Sequence, residues 1–261
     1  MLSAVASIFR TPDLRKKVLF TLGLLALYRL GTVVPTPGVD YSAVQTCIDL
    51  VQGNSIYGLI NLFSGGALLQ LSVFALGVVP YITASIIIQL LTVVIPRLEA
   101  LKKEGQSGQA KMTQYTRYLT VGLAVLQTTG IVALARTPGR LFQSCELQIV
   151  PNQSIPVILT MILVMTTGTV LVMWFGEMIT ERGIGNGMSL LIFASILSGF
   201  PAQFASIFQS KGAFIFALVL LVAIVTITAV VFVEQAQRRI PVQYAKRMVG
   251  NKLYGGASTY I

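Results

Sequence analysis

The 261-residue sequence has no histidine. Every chemistry that needs an imidazole is thereby excluded: Ser-His-Asp hydrolysis, HExxH zinc proteolysis and haem held through histidine. Cysteine is nearly absent, and Cys47 and Cys145 are too few for a disulfide framework and lack the CxxC spacing of a zinc or redox site. Charge is scarce too, at 11% of residues against about 25% in ordinary soluble proteins. Acidic residues are the scarcer kind, 9 Asp+Glu against 19 Lys+Arg, for a net charge of +10. That composition excludes a soluble domain and a charge-rich disordered chain alike. Gly183-Ile184-Gly185-Asn186-Gly187 has neither GxGxxG spacing nor a preceding strand, so it reads as a tight turn and not a dinucleotide site. Gly105 to Lys111 lacks Walker spacing, GxSxG occurs nowhere, and no nucleophile stands with a base, which leaves an enzyme without machinery.

What the sequence has is apolar length: 54% of residues are hydrophobic. Six runs approach the roughly 20 residues that span a hydrocarbon core as a helix, at 18–34, 71–95, 118–135, 155–175, 188–208 and 213–233. None alternates like a barrel strand. Arg10, Arg15, Lys16 and Lys17 before the first run imitate a signal peptide, but the run is long, contains Arg29 and ends without an A-x-A site, so it is expected to be retained. Fifteen Lys and Arg fall in segments on one side of the spans, and Arg136, Arg140 and Lys211 on the other. By the positive-inside rule both ends of the chain are cytoplasmic. Cys47 and Cys145 then face the extracytoplasmic side, and they are expected to stay unpaired, since separate loops rarely meet within the roughly 7 Å Cα separation a disulfide needs.

Inside the spans ionisable residues are rare. Arg29 is expected to snorkel to the interface, Glu177 and Glu234 lie at cytoplasmic ends, and no acid sits near a span centre. A proton-coupled pump would carry one. Gln89 and Gln127 cannot face lipid without unpaired amide groups, so each faces another helix or water. Pro80 predicts a kink in the second span. A shorter stretch, 56–70, carries Asn61, Ser64, Gly65 and Gly66 and reads either as re-entrant or as an interfacial helix. The basic segments 97–117 and 235–261 read as topology signals attracted to anionic lipid, and the second could also grip RNA phosphates.

Several strings together resemble the SecY family, the channel subunit of the bacterial Sec protein translocase. They are Leu62-Phe63-Ser64-Gly65-Gly66-Ala67-Leu68, the run from Phe74 to Leu91 containing Gly77-Val78-Val79-Pro80-Tyr81, and Gly176-Glu177-Met178-Ile179-Thr180-Glu181-Arg182-Gly183-Ile184-Gly185-Asn186-Gly187. Lys102-Lys103-Glu104-Gly105, Gln114 to Tyr118 and Gln237-Arg238-Arg239 add to them. The resemblance covers essentially the whole chain.

It implies an all-α integral membrane fold of six transmembrane helices plus a short plug helix, one half of an inverted-repeat ten-helix channel with one further helix. The implied organisation is a cytosolic segment 1–17, a five-span half 18–208 including the plug 56–70, a sixth span 213–233, and a cytosolic loop from 234 to 261. Plug residues would be Asn61, Leu62, Phe63, Ser64, Gly65, Gly66 and Leu69. A hydrophobic pore ring would draw on Val78 and Ile82, and on Met188 and Ile192, each pair spaced i, i+4 on one helix face. Met188 stands where isoleucine is common, a flexible replacement of similar bulk. Ser85, Gln89 and Gln127 would belong to a lateral gate, and Arg238, Arg239, Lys246 and Arg247 would touch a ribosome or motor. The implied partners are SecE and SecG, the SecA motor, the ribosome with its RNA, signal peptides and nascent chains, and membrane lipid. No cofactor, metal or catalytic residue is implied. SecY-like proteins have ten spans, so this length alone is expected to be a piece of something longer and not to form a working channel. The implied function is translocation of unfolded polypeptides across, and insertion of spans into, the bacterial plasma membrane. The alternative is an inverted-repeat transporter or ion channel.

Overall fold

In the computed structural model the described residues are 11–51, 65–137, 145 and 147–237, with four three-residue strands between 241 and 260. Among the described residues seven helices form: α1 (Pro12–Val33), α2 (Tyr41–Val51), α3 (Val79–Val94), α4 (Pro96–Lys103), α5 (Gln106–Ala135), α6 (Ile155–Arg182) and α7 (Gly187–Glu234). The chain divides into two compact units, Met1–Pro201 and Ala202–Ile261. Proline falls in the first turn of α1, α3, α4 and α6, where its missing N–H has no intrahelical acceptor to lose. Ile95, which precedes Pro96, is extended, as the proline ring requires. α3 and α4 consequently meet at a bend of 101°.

Among the described residues four helical stretches are long and apolar enough to cross a membrane: Gln106–Ala135, Ile155–Arg182, Gly187–Ala205 and Ile207–Glu234; the bent α3–α4 pair, taken as one span, makes a fifth. The spans read from the sequence map onto these elements as follows. The first, 18–34, falls in α1, which also takes in Lys16 and Lys17 ahead of Arg29. The second span, read as 71–95, is helical only over the 16 residues of α3. Residues 71–78 are turns, with Leu71 at φ 47° and Gly77 at φ 52°. Pro80 therefore kinks nothing, because it opens the helix. The last two spans are assigned as one run, α7, broken where Gly212 takes a non-helical φ of 79°.

Within the first unit, helices pack through small residues. The buried positions of α5 include Gly108, Met112, Thr116, Thr120, Ala124, Thr128 and Val132, one stripe at i, i+4 spacing. Between membrane helices the hydrophobic effect offers little, so close approach and dispersion carry the contact. α6 shows the same economy. A Cβ on Gly168 would run into the backbone carbonyl of Val73, so glycine lets α6 lie directly on the irregular 71–78 segment.

That segment is held on every side. Thr36 N donates to the Leu71 carbonyl (3.1 Å) and Val73 N to the Val34 carbonyl (2.9 Å), forming a bridge between Pro35 and Ser72. Leu71, Ser72, Phe74, Ala75, Leu76 and Val78 are all buried. One apolar cluster joins Leu69, Leu71 and Ala75 to Val44, Val132, Met161 and Met165, and a second joins Phe74 and Val78 to Leu24, Tyr28, Val172 and Leu191. Arg29 does not snorkel. Its Nη1 donates to the Gly65 carbonyl (2.8 Å) and to Thr32 Oγ1 (3.3 Å), clamping the start of this segment from α1.

In the second unit the stretch 207–234 is unburied. Beyond it, β1 (Pro241–Gln243) pairs antiparallel with β4 (Ser258–Tyr260), enclosing an antiparallel pair of β2 (Arg247–Val249) and β3 (Lys252–Tyr254). These strands were not expected. Three-residue ladders within a polar loop leave no apolar periodicity to read.

Cys47 and Cys145 form a disulfide across 98 residues, with Cα atoms 5.4 Å apart, so the expectation of two separate thiols is overturned. The reason lies in the core: both cysteines are buried in the cluster around Leu69 and Met161, which draws α2 and the strap before α6 together. If the chain is nicked by protease between 97 and 111, the two pieces should stay joined on a non-reducing gel and separate when dithiothreitol is added. Pieces that separate without reductant would show the cysteines unpaired.

Candidate functional site

A cavity of about 550 Å³ opens between α3, α5, α6 and the start of α7. Its walls are mixed: Ile82, Ile86, Met188 and Ile192 are apolar, while Gln89, Arg117, Glu177 and Glu181 are polar. Val78, one turn before Ile82, is buried in the cluster against which Ile82, Met188 and Ile192 also pack. Of the four residues expected as a ring, Val78 thus belongs to a buried cluster and the other three pack against it.

The glycine-rich turn between α6 and α7 positions two of them. Thr180 Oγ1 donates to the Gly176 carbonyl (2.8 Å) and accepts from Gly187 N (2.9 Å). Asn186 Oδ1 caps α7 by accepting from Met188 N at 3.1 Å, and Gly185 supplies the positive φ of 67° that the turn needs. A Cβ on Gly187 would strike the Gly176 carbonyl. The turn read from sequence is therefore a splice that presses the first residues of α7 against α6. Farther along α7, Ser195 Oγ donates to the Leu191 carbonyl (2.9 Å), leaving its lone pairs for the hydroxyl of Tyr28 at 2.7 Å. This fully buried tie between α1 and α7 was not anticipated. A tyrosine in an apolar run was its only sequence signal.

Arg117 and Glu177 join α5 to α6 in a two-pronged ion pair, Nε to Oε1 and Nη2 to Oε2, each at 2.8 Å. The Glu177 side chain is 15% exposed and that of Arg117 39%. Gln114 Oε1 takes a third Arg117 donor at 3.2 Å. Sequence reading placed these residues only at span ends.

The other expected residues are distributed as follows. Ser85 and Gln89 line the cavity, whereas Gln127 is half-buried on α5 away from it. Asn61, Leu62, Phe63 and Ser64 lie outside the described residues, while Gly65, Gly66 and Leu69 belong to turns, with φ of 62° and 93° at the glycines. The described end of the expected plug helix is thus not helical. Arg238, Arg239 and Lys246 lie outside the described residues, and Arg247 begins β2.

The SecY family model matches residues 72–261. The chain belongs to the SecY family. It is similar to the protein translocase subunit SecY of Streptomyces scabiei, 65% identical over all of this chain and 61% of that protein. The SecY subunit of Mycobacterium bovis is 62% identical over all of this chain and 60% of its own length. The chain thus spans about three fifths of these SecY proteins. Among solved structures its fold resembles a protein-conducting channel (TM-score 0.55, 17% identity, 94% of this chain and 52% of that one). It also resembles Sec61 in the canine ribosome-channel complex (TM-score 0.53, 16% identity, covering 92% and 53%).

The Arg117–Glu177 pair should be measurable in thermal unfolding of the full-length SecY-family protein. Arg117→Gln and Glu177→Gln should each destabilise by about 1–2 kcal/mol, reduced from a fully buried pair by the exposure of Arg117. The double variant should fall short of their sum by at least about 0.5 kcal/mol. Strict additivity would mean that the two side chains act independently.

Proposed function

We propose that the chain is the larger part of a channel subunit that moves unfolded polypeptides across, and inserts apolar segments into, the bacterial plasma membrane. The observation that carries this reading is that Ile82, Met188 and Ile192 line the cavity and pack against the buried cluster that contains Val78. Such a collar offers an ion no replacement for its hydration, while a peptide brings its own side chains to pack there. Methionine and branched aliphatic side chains change rotamer readily enough to accommodate varied sequence. The role is passive and non-enzymatic, with the driving force supplied by a partner. The transporter alternative has no acid at a span centre to support it, and the relatives are named protein translocase subunits.

In this reading 56–70 is the plug, sealing the far side of the collar. Ser85, Gln89 and Gln127 belong to the gate through which apolar segments reach lipid, with the polar groups moderating its closure. The distribution of Lys and Arg supports cytoplasmic positions for both ends of the chain. The loop 234–261, with Arg238, Arg239, Lys246 and Arg247, then faces a ribosome, through its RNA phosphates, or the SecA motor. SecE and SecG complete the assembly, and signal peptides and nascent chains are its cargo. The occurrence of Sec61 in a ribosome-channel complex supports the ribosome as a partner.

In the complete reconstituted channel, Ile82→Asn or Ile192→Gly should raise resting ion conductance, and partial deletion of 56–70 should add to the leak. Wild-type conductance in every such variant would make these residues packing alone. Arg238→Glu combined with Arg239→Glu should weaken ribosome or motor binding and flatten its salt dependence. Unchanged affinity would return the loop to a topology signal.

A further inference from the structure

A second surface of the α5–α6 pair shares Arg117, Glu177 and Glu181 with the cavity and extends beyond it. On the outward side an apolar seam of about 430 Å³ runs between the two helices, walled by Val121 and Val125 on α5 and by Leu159, Leu163 and Val170 on α6. It is continuous, through Val170, with a second hollow of about 440 Å³ whose walls include Trp174, Arg117, Glu177 and Glu181. Leu159, Leu163 and Trp174 are at least half exposed. Both helices are long and apolar enough to cross a membrane, so this seam lies at membrane depth. At about 1.5 Å per residue, Glu177 and Thr166 are about 16 Å apart along α6, close to the roughly 15 Å of one leaflet's hydrocarbon. Trp174 sits at the charged end, where indole rings favour the membrane interface.

The charges at that end select a head group. Arg117 spends three of its five N–H donors on Glu177 and Gln114, leaving two for a phosphate oxygen. Glu181 is exposed and takes part in no hydrogen bond or ion pair among those found for the described residues, though its charge acts on Arg117 at longer range. One cation and two carboxylates carry a net −1, which disfavours a purely anionic lipid and suits a zwitterion that brings its own ammonium. We infer that the α5–α6 seam binds one aminophospholipid, its acyl chain along Val121, Val125, Leu163 and Val170, its phosphate on Arg117 and its ammonium on Glu181.

The test uses the complete channel complex in phosphatidylcholine nanodiscs, whose quaternary head group has no N–H to donate. Phosphatidylethanolamine with a photoactivatable acyl chain is added, and labelled peptides are mapped. Label should fall on the peptides containing Val125 and Leu163, and unlabelled phosphatidylethanolamine should displace it while phosphatidylglycerol should not. Glu181→Gln, an exposed change that leaves the Arg117–Glu177 pair intact, should lower labelling about fivefold, the size of one near-surface charge contact. Val125→Trp with Leu163→Trp should abolish it by filling the seam. Labelling that ignores the competitor's head group and survives both variants would mean annular lipid only. Seam peptides that take no label would mean that another polypeptide covers them. Either result overturns the site.

Discussion

The structure depends on carrying a stretch of irregular backbone, 65–78, at membrane depth. Peptide groups there have no water to bond, so they must be satisfied within the protein or not be irregular at all. Three neighbours meet this demand. The strand-like 34–36 segment trades hydrogen bonds with 71–73, the Arg29 guanidinium takes the Gly65 carbonyl, and α6 presses on the remainder through Gly168. The glycines and tight turns of this stretch are what release α3 to begin at Val79. They also leave Val78 buried in the cluster against which Ile82, Met188 and Ile192 pack.

The cavity's apolar lining residues Ile82, Met188 and Ile192 pack against the buried cluster of Tyr28, Phe74 and Val172, which leaves few positions there where a polar side chain could find a partner. Its charged lining residues include Arg117 on α5 and Glu177 on α6, which satisfy one another. The same ion pair borders the outward hollow as well. It therefore forms part of the wall between the interior cavity and the surface of the helix pair.

Long-range ties converge on the irregular stretch from elements far apart in sequence. The Cys47–Cys145 bridge fastens α2 to the strap before α6, beside Leu69 and Leu71. The Tyr28–Ser195 hydrogen bond fastens α1 to α7 beside Phe74 and Val78. Stability at these points comes from burial and satisfied polar groups in the interior, since the lipid-facing side of each helix gains little from association.

Composition and apolar run length were enough, from the sequence alone, to establish a helical membrane protein, because a bilayer demands long apolar segments and says so in every residue of them. The motif strings gave the family, and the charge distribution supports an orientation by the same local logic. The i, i+4 spacing of Val78 with Ile82 and of Met188 with Ile192 put each pair on one face. Hydropathy could not register that residues 71–78 are apolar without being helical, because burial within protein and burial in lipid favour the same side chains. Only the tertiary structure set both pairs at one buried cluster, joined Arg117 to Glu177, turned Arg29 inward and closed Cys47 onto Cys145. Each of those contacts joins residues dozens of positions apart, and a pairing is fixed by where whole helices pack, which no local pattern encodes.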